Sequence, residues 1–452
     1  MEFINELCDV LSSMLWGPFT LILIIGIGLY LTITTGFFQI FHFKDVLKNT
    51  IGSVIKPKDH KNKGISPFQA VSTALAGSLG TGNIVGVAAA IAVGGPGAIF
   101  WMWVSAFFGM ITKYAEVLLS VKYRVSDKEG FYGGPMYVME KGLHCKPMGK
   151  IFSVFCMLAS FGIGSTVQSN SASIALNKSF GIPNILTGIV ITVLCVVIMI
   201  GGVKRLGAAA ERIVPFMATM YILLALLVLF KNVQNIPSAF SLIIGDAFNF
   251  KSVASGGAGY TISLAVRYGI ARSIFSSEAG IGSSPIAHAA SNATSPVKQG
   301  QWGIFEVFFN TIVMCTMTAL VIITTGAFSA GKNSGEMTLY AFSSTIGSFS
   351  QTIISICMVL FAFTTIVSWA YYGEQSVKYA IGEKFILPYR IVYALSTGIG
   401  SICAMSIVWK FADVFNVMMA IPNLISLILL SPQVISLTKE YKRKRFLKNK
   451  SN

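Results

Sequence analysis

Three glycines and several small polar residues interrupt an apolar run that is long enough to cross a lipid bilayer. The run extends from about residue 68 to residue 93, and its centre reads Gly77-Ser78-Leu79-Gly80-Thr81-Gly82-Asn83. Glycine weakens a helix by roughly 1 kcal/mol relative to alanine, and freed backbone groups are tolerated inside a membrane only where they line a protein-buried or hydrated cavity. The stretch therefore predicts a helix that is broken so that its amides and carbonyls bind a small ligand or ion. Close packing of helices through small residues is the competing interpretation.

A second apolar run, at about 259–290, is interrupted in a similar way. Its interruption reads Ser276-Ser277-Glu278-Ala279-Gly280-Ile281-Gly282-Ser283-Ser284-Pro285. Glycine, serine and proline again disfavour a continuous helix, and an ionisable residue at membrane depth is a functional candidate by default. What the two stretches can do together depends on how the membrane spans place them.

The composition is that of an integral membrane protein. Of the 452 residues, 54% are hydrophobic and only 12% are charged, with a mean hydropathy of +0.70, whereas a soluble domain carries about a quarter charged residues. Nothing between the apolar runs is long enough to fold separately, so we expect residues 1–452 to form one all-α polytopic membrane domain. The net charge of +16 does not indicate a nucleic-acid partner, because the positive residues collect in alternate loops and in the tail from Lys439 to Lys450.

Eleven apolar segments are predicted to cross the bilayer. They lie at about 17–40, 67–93, 97–121, 151–176, 183–202, 211–230, 259–290, 302–328, 344–372, 388–407 and 411–431. The loops 42–63, 122–150 and 203–212 are rich in lysine and arginine and fall on one side by this count. This predicts a cell-membrane protein with its N-terminus outside and its C-terminus in the cytoplasm. The acidic start of the chain lacks the basic region of a signal peptide, so none is expected.

Ten of the eleven spans form two sets of five. Residues 17–40 are set aside as an accessory helix, 67–230 make a first five-helix repeat and 259–431 a second, followed by a basic cytoplasmic tail at 432–452. Because five is odd, the two halves enter the membrane from opposite sides, and each begins with an interrupted span. Paired interrupted helices in inverted halves indicate the midplane binding site of a secondary transporter.

Several segments closely resemble the signature sequences of the sodium:alanine/glycine symporter family. They are the run from Gly94 to Gly109, Gly80-Thr81-Gly82-Asn83, the loop from Tyr132 to Tyr137, the segment from Val167 to Ser171, the run from Ala271 to Gly280, and Pro285-Ile286-Ala287-His288-Ala289. The resemblance implies a LeuT-like fold, a 5+5 inverted repeat with one extra N-terminal helix. It also implies symport of sodium, or in some members protons, with small neutral amino acids, chiefly alanine and glycine, and no cofactor other than the transported ion.

The same resemblance implies where the amino acid binds. In other LeuT-like carriers the amides of the first break, here those of Thr81 and Gly82, receive the substrate carboxylate. Backbone amides at a half-helix N-terminus suit an anion because the dipole and the unpaired donors point at it. Asn83 is expected either to coordinate ion or substrate or to cap the freed backbone, and the capping role is favoured.

The resemblance also implies a sodium site. The carbonyl groups of Ala76 and Leu79, just before the break, would face the ion. The remaining ligands would come from Phe361, Thr364 and Thr365 in the segment Phe361-Ala362-Phe363-Thr364-Thr365, which supplies two hydroxyl groups. In the alternative interpretation, the threonine hydroxyls bond only to the preceding helical turn.

Further pocket residues are expected on other spans. Gln168 is expected to contact the substrate or to hydrogen-bond between helices. Phe275, Ser276 and Ser277 precede the second break and are expected to line the pocket. Trp369 is expected to form a lid or wall that excludes side chains larger than a methyl group, or else to pack ordinarily. The small residues before the first break leave open whether the pocket is larger than in the family's alanine carriers.

The ionisable residues at membrane depth have alternative roles. Glu278 is expected to recognise the substrate ammonium or to hold the broken helix through hydrogen bonds to backbone amides, and the second role is favoured. Arg272 is expected to pair with Glu278 or Glu116. Lys113 and Glu116 lie near the inner end of their span, where long side chains can snorkel. His288 is expected to be a satisfied interior histidine.

An intramembrane enzyme and a channel are the alternative classes. An enzyme would need a nucleophile with a base, or a metal cluster, but the four histidines are scattered along the chain. A channel filter normally requires symmetric repetition of a short loop. The sequence therefore favours a sodium-coupled carrier of small neutral amino acids, with proton coupling or a preference for glutamine or serine as alternatives.

Overall fold

The computed structural model describes residues 15–55, 64–127, 130–248, 258–403 and 405–450. Within these ranges the protein is helical apart from short connections and one antiparallel hairpin, in which β1 (Val125–Ser126) pairs with β2 (Phe131–Tyr132). The prediction of a mostly α-helical protein is therefore confirmed. The start of the chain, on which the signal-peptide expectation rests, lies outside the described residues.

The helices are numbered here in chain order. The first part of the chain forms α1 (Pro18–Thr34), α2 (Phe38–Phe41), α3 (Phe43–Asn49), α4 (Ile51–Ile55), α5 (Pro67–Ser78), α6 (Val85–Gly94), α7 (Ala98–Lys122), α8 (Pro135–Tyr137), α9 (Lys146–Ala159), α10 (Val167–Phe180), α11 (Asn184–Met199), α12 (Gly202–Lys231) and α13 (Ile236–Ala247). The second part forms α14 (Ala258–Ser277), α15 (Pro285–Ala289), α16 (Pro296–Val307), α17 (Thr316–Thr324), α18 (Ser334–Ile346), α19 (Ser348–Ala380), α20 (Ile386–Gly400) and α21 (Met405–Lys450).

Six helical segments among the described residues are long and apolar enough to cross a membrane. They are Ala98–Lys122, Lys146–Phe180, Gly202–Lys231, Pro296–Thr324, Ser348–Ala380 and Ala412–Leu447. The pair Pro67–Ser78 and Thr81–Gly94, bent by 59°, makes a seventh if it is counted as one span. The protein is thus a multi-pass membrane protein, while the count of eleven spans and the division into two five-helix halves stay predictions.

Large apolar side chains on the outside of the helices agree with a lipid environment. Phe19 on α1 is 79% exposed and Phe230 on α12 is 80% exposed, which a soluble protein would avoid in such numbers. The buried apolar residues pack around the two interrupted helices.

The helix ends gather at two faces. At one of them Gly64, Asp127, Lys204, Ala290 and Arg390 line a common cavity. This end is named the basic face, because the lysine- and arginine-rich loop after α7 and the basic first turns of α12 lie there.

The other end of the bundle is called the opposite face. There the Gly97 amide donates to the Asp246 carboxylate at 2.8 Å, and Lys178 pairs with Glu336 at 2.6 Å. Asn235 donates to the Thr324 carbonyl at 3.0 Å. Loops predicted to lie on one side of the membrane are therefore brought together in space.

The first break lies between α5 and α6. Helix α5 begins with a capping box, in which the Ser66 hydroxyl accepts from the backbone amide of Gln69 at 3.0 Å and the side-chain oxygen of Gln69 accepts from the backbone amide of Ser66 at 3.1 Å. The helix ends at Ser78, a 3-10 turn covers Thr81–Asn83, and α6 begins at Val85. The break predicted from the glycines is present.

The second break separates α14 from α15. Its backbone enters the left-handed region at Glu278 (φ 55°), Gly280 (φ 88°) and Gly282 (φ 89°). Glycine adopts this conformation readily, but a glutamate does so at a cost and only where its surroundings hold it. Proline at position 285 begins α15, where its missing amide hydrogen needs no partner.

Two π-helical segments lie beside the breaks. Ser160–Thr166 joins α9 to α10, and Phe308–Cys315 joins α16 to α17. Such widened turns free backbone groups and often occur at functional sites. Each of them is followed by, or contains, a side-chain amide that reaches a break, as described below.

Candidate substrate and ion site

The two breaks meet in the interior of the bundle. A Cβ atom added to Gly82 would lie only 3.0 Å from ring atom Cδ1 of Phe275, which stands one turn before the second break. Both segments are fully buried. A side chain at position 82 would therefore require the Phe275 ring to shift.

Helix α19 hydrogen-bonds to both break regions, and helix α10 to the first. Thr365 on α19 donates its hydroxyl to the carbonyl oxygen of Ala76 at 3.0 Å. Trp369, one turn further along α19, donates its indole N–H to the Glu278 carboxylate at 2.8 Å. Gln168 on α10 accepts from Thr81. The residues predicted from two distant breaks and two further spans thus form one continuous polar cluster.

The predicted sodium ligands lie close together. Next to the Thr365–Ala76 contact, the Thr364 hydroxyl donates to the Phe361 carbonyl at 3.1 Å, as expected of a threonine bonded to its own helix. Leu79, the C-cap of α5, is fully buried. Thr365 therefore reaches across to the break, whereas Thr364 bonds within α19.

Gln168 bonds to the backbone where the amino-acid carboxylate is expected. Its side-chain oxygen accepts from the Thr81 amide at 3.1 Å and from the Thr81 hydroxyl at 3.0 Å. Its nitrogen donates to the Ile163 carbonyl at 3.0 Å, in the π-helical segment that precedes it. The Thr81 amide thus points toward an oxygen acceptor in this geometry.

Asn83 bonds to another helix and does not cap α6. Its side-chain nitrogen donates to Asn310, at 2.7 Å to Oδ1 and 3.2 Å to the backbone carbonyl. The Ser276 hydroxyl donates to the same Asn310 Oδ1 at 2.6 Å. The favoured capping role is therefore wrong, and Asn310 is a site residue that the sequence reasoning missed. The sequence feature that could have identified it is the single side-chain amide in the apolar run Phe308–Cys315.

The predicted pocket residues of the second break have different surroundings. The Ser276 hydroxyl bonds to Asn310, whereas the Ser277 hydroxyl donates to the Ser273 carbonyl of its own helix at 2.8 Å. Phe275 stacks on Trp409 of α21, with ring centroids 4.6 Å apart. Phe275 and Ser276 thus face the site, and Ser277 bonds within its own helix.

Arg272 covers this cluster from the opposite face. It pairs with Asp413 of α21, with Nη2 at 2.9 Å from Oδ2, and its guanidinium lies 4.6 Å from the centre of the Trp409 ring. The expected pairing with Glu278 or Glu116 is therefore wrong. The ion pair and the stacked rings join α14 to α21 on the opposite-face side of the second break.

Glu278 uses both carboxylate oxygens within the protein. One accepts from Trp369, and the other accepts from the Ser283 hydroxyl at 2.5 Å. The role of holding the broken helix is present, although the donors are side chains and not the expected backbone amides. Trp369 is fully buried, and a Cβ atom at Gly164 would lie 2.2 Å from the Cβ atom of Trp369, so the indole fills the wall of the site.

The small residues before the first break do not enlarge the pocket at Gly77. A Cβ atom there would lie 2.8 Å from the Tyr372 hydroxyl, so this side chain fills the space. His288 is fully buried and contacts Glu306 at 3.1 Å and Gln299 at 2.9 Å, as a satisfied interior histidine does.

Two cavities lie on the basic side of the cluster. The larger, about 340 Å³, opens at the basic face. A second, about 10 Å³, is lined by Ala76 and Thr364 at one end and by Ile198 and Leu206 at the other. This volume is enough for about one water molecule.

Two interrupted helices whose breaks meet in a buried polar cluster define the class of protein, a secondary transporter. The fold is similar to that of MhsT in its complex with L-phenylalanine, with a TM-score of 0.59 and 14% identity over 84% of this chain and 99% of that one. The chain belongs to the sodium:alanine symporter family, whose model matches residues 1–452.

Relatives of similar length support this assignment. The chain is 44% identical to the sodium/alanine symporter AgcS of Methanococcus maripaludis, over 99% of this chain and 100% of that protein. It is 45% identical to an uncharacterised transporter of Haemophilus influenzae, over 97% and 96% of the two chains. It is 37% identical to the probable sodium/glutamine symporter GlnT of Bacillus subtilis, over 98% and 92%. The family predicted from the sequence is confirmed, and it is a family of transporters, not of enzymes.

Proposed function

We propose that this protein couples the inward movement of sodium to the uptake of a small neutral amino acid, alanine, glycine or D-alanine, by alternating access. It would act in the cell membrane, with the basic face and the C-terminus in the cytoplasm, as the positive loops favour. The eleven-span, five-plus-five architecture belongs to the same proposal. The single observation that carries it is the contact between the first break and α19, where the Thr365 hydroxyl meets the Ala76 carbonyl at 3.0 Å.

Sodium is proposed to bind among the oxygens of this contact. The carbonyls of Ala76, Leu79 and Phe361 and the hydroxyls of Thr364 and Thr365 are hard, neutral oxygen donors of the kind that alkali cations prefer. The small cavity beside Ala76 and Thr364 extends toward Ile198 and Leu206 at the basic side. We propose that the ion leaves by this route.

The amino acid is proposed to bind next to the ion. Its carboxylate would take the Thr81 and Gly82 amides, displacing or joining the Gln168 oxygen, since backbone amides at a break suit an anion. Asn83, Phe275, Ser276 and Ser277 would form the rest of the first wall. Glu278 and Trp369 would form the second, and the buried indole restricts the side chain to a small one.

Uptake into proteoliposomes tests the proposal. Labelled alanine, glycine and glutamine are offered under an inward gradient of sodium and, separately, of protons. Accumulation of alanine or glycine that follows the sodium gradient supports the proposal. Accumulation that follows protons alone supports the proton-coupled alternative. Accumulation that favours glutamine supports the glutamine-preferring alternative, in line with the name of the Bacillus subtilis relative GlnT. Uptake that only equilibrates contradicts coupled transport.

A further inference from the structure

A lysine lies deep in the protein beneath the second break. Lys113 of α7 has no exposed side-chain surface, and a snorkelling side chain would reach water. The expectation that it extends to the interface is therefore wrong. A Cβ atom at Gly303 would lie 2.9 Å from Lys113 Cγ, so α16 packs directly against the side chain.

The ammonium group of Lys113 hydrogen-bonds to both ends of the break. It donates to the Glu278 backbone carbonyl at 2.8 Å and to the Ser284 hydroxyl at 2.7 Å. Its distance to the Glu306 carboxylate is 3.7 Å, which is too long for a hydrogen bond. Glu306 therefore balances the charge, while the directional contacts of the lysine go to the unwound segment.

Glu306 is itself held in place by neighbours. Its other oxygen accepts from His288 Nε2 at 3.1 Å, and His288 Nδ1 is 2.9 Å from the amide nitrogen of Gln299. Gln299 therefore holds the imidazole from the side opposite Glu306. The carboxylate thus stays close to Lys113 without turning away.

A second support reaches the middle of the same segment. Glu116, one turn along α7, accepts from Asn423 of α21 at 2.5 Å, and the same Asn423 nitrogen donates to the Gly280 carbonyl at 3.0 Å. The unwound residues therefore have donors at their start, middle and end. Since Glu278 is in a left-handed conformation, it needs such support to persist.

We propose that Lys113 is the built-in cation of the second break: its ammonium group fixes the backbone of residues 278–284 and so positions the Glu278 carboxylate against Trp369. In this proposal the first break binds an exchangeable sodium ion, whereas the second break is held by the ammonium group of Lys113, which is part of the protein. Lys113 is a positioning residue, since it acts through Glu278. The inference rests on the proposed transport function, because the positioned contact joins the break to α19.

Two variants of the full-length chain distinguish a positioning role of Lys113 from a role in balancing the charge of Glu306. Lys113→Met keeps the length of the side chain and removes its charge, and Lys113→Met/Glu306→Gln also removes the carboxylate that would be left unpaired. We expect both to lose uptake of labelled alanine by at least about tenfold, the size of one lost charge-assisted hydrogen bond. Lys122→Gln, at the exposed end of the same helix, is the control and should keep normal uptake. Recovery of normal uptake in the double variant would show that Lys113 only neutralises Glu306 and would overturn the proposal.

A double-mutant cycle tests the route through Glu278. Trp369→Phe removes the indole donor, so a chain carrying both Lys113→Met and Trp369→Phe should transport no worse than the poorer single variant. Losses that multiply would show independent roles and contradict the proposal.

Hydrogen–deuterium exchange of the purified protein supplies a measurement that does not depend on transport. Peptides covering residues 278–284 should exchange faster in both Lys113 variants than in the wild type, while peptides covering 78–83 should not change. Unchanged exchange at 278–284 would overturn the proposal. If the wild type itself shows no coupled uptake, the proposed function fails, and this comparison still decides the role of Lys113. Should Lys113→Met not fold, the double variant gives the same comparison.

Discussion

The hydroxyl of Thr365 lies 3.0 Å from the carbonyl oxygen of Ala76, although 289 residues separate the two positions in the chain. The contact joins the end of α5, where the backbone leaves its helix, to the middle of α19. It places a hydroxyl oxygen and a carbonyl oxygen, both hard donors, side by side in the membrane interior.

Thr365→Val should weaken the response to sodium. The substitution keeps the shape of the side chain and removes one proposed oxygen ligand, so the sodium concentration for half-maximal alanine uptake should rise about tenfold, equivalent to about 1.4 kcal/mol. Sodium titration of uptake in proteoliposomes measures this. Thr324→Val is the control, because the Thr324 hydroxyl bonds only to Leu320 of its own helix at 2.7 Å. Equal sodium responses in both variants would remove Thr365 from the ion site.

Gln168→Leu should act on the amino acid more than on the ion. The Thr81 amide and hydroxyl lose their acceptor at about 3 Å, so the amino-acid KM should change severalfold while the sodium response stays within about twofold. Ser171→Ala serves as control, since its hydroxyl bonds to Val167 one turn back on the same helix. An unchanged amino-acid KM would place Gln168 outside the substrate site.

Gly80→Ala should abolish uptake through steric conflict alone. The added Cβ atom would lie 2.7 Å from the Thr365 hydroxyl and 3.0 Å from the Gln168 oxygen, and the backbone at Gly80 is in an extended conformation that alanine tolerates. The expected destabilisation is about 1–3 kcal/mol, visible as a lower Tm in detergent. Gly26→Ala, where nothing lies within 4 Å, should leave both uptake and Tm unchanged. Normal uptake by Gly80→Ala would show that the two contacts are dispensable.

Asp413→Asn should open the opposite face. Without its partner, Arg272 no longer holds α14 to α21 above the Phe275–Trp409 stack, and removing one member of a buried pair is costly. In a chain that keeps Cys315 as its only cysteine, labelling by a membrane-impermeant thiol reagent added at the opposite face should increase severalfold. Arg390→Gln, which breaks an ion pair with Glu374 at the basic side, is the matched control and should not increase it. Equal labelling in the two variants would show that the Arg272–Asp413 pair does not restrict access to the site from the opposite face.

The position of both breaks could be predicted because the signals are local. Three glycines at the centre of an apolar run disfavour an unbroken helix. The contacts between distant helices could not be predicted in this way. Asn310 meets Asn83 across 227 residues, and a lone amide in an apolar run indicates that it has a partner without indicating which.

The errors concern side chains whose partners lie on distant spans. Arg272 pairs with Asp413, 141 residues further on. This partner could not be predicted, because the register of α14 against α21 depends on tertiary packing. A snorkelling Lys113 is the expectation from its place along the helix. It is buried instead because α16 approaches it through Gly303, a feature of shape and not of hydropathy.

The linkage between sodium and amino-acid binding tests the central claim most directly. Calorimetric titration of alanine into the purified protein should give a Kd at least about tenfold lower in sodium than in potassium, and alanine should lower the Kd for sodium by the same factor, since coupling between two sites is reciprocal. An alanine Kd that is the same in sodium and potassium would show that the first break does not bind the two ligands together.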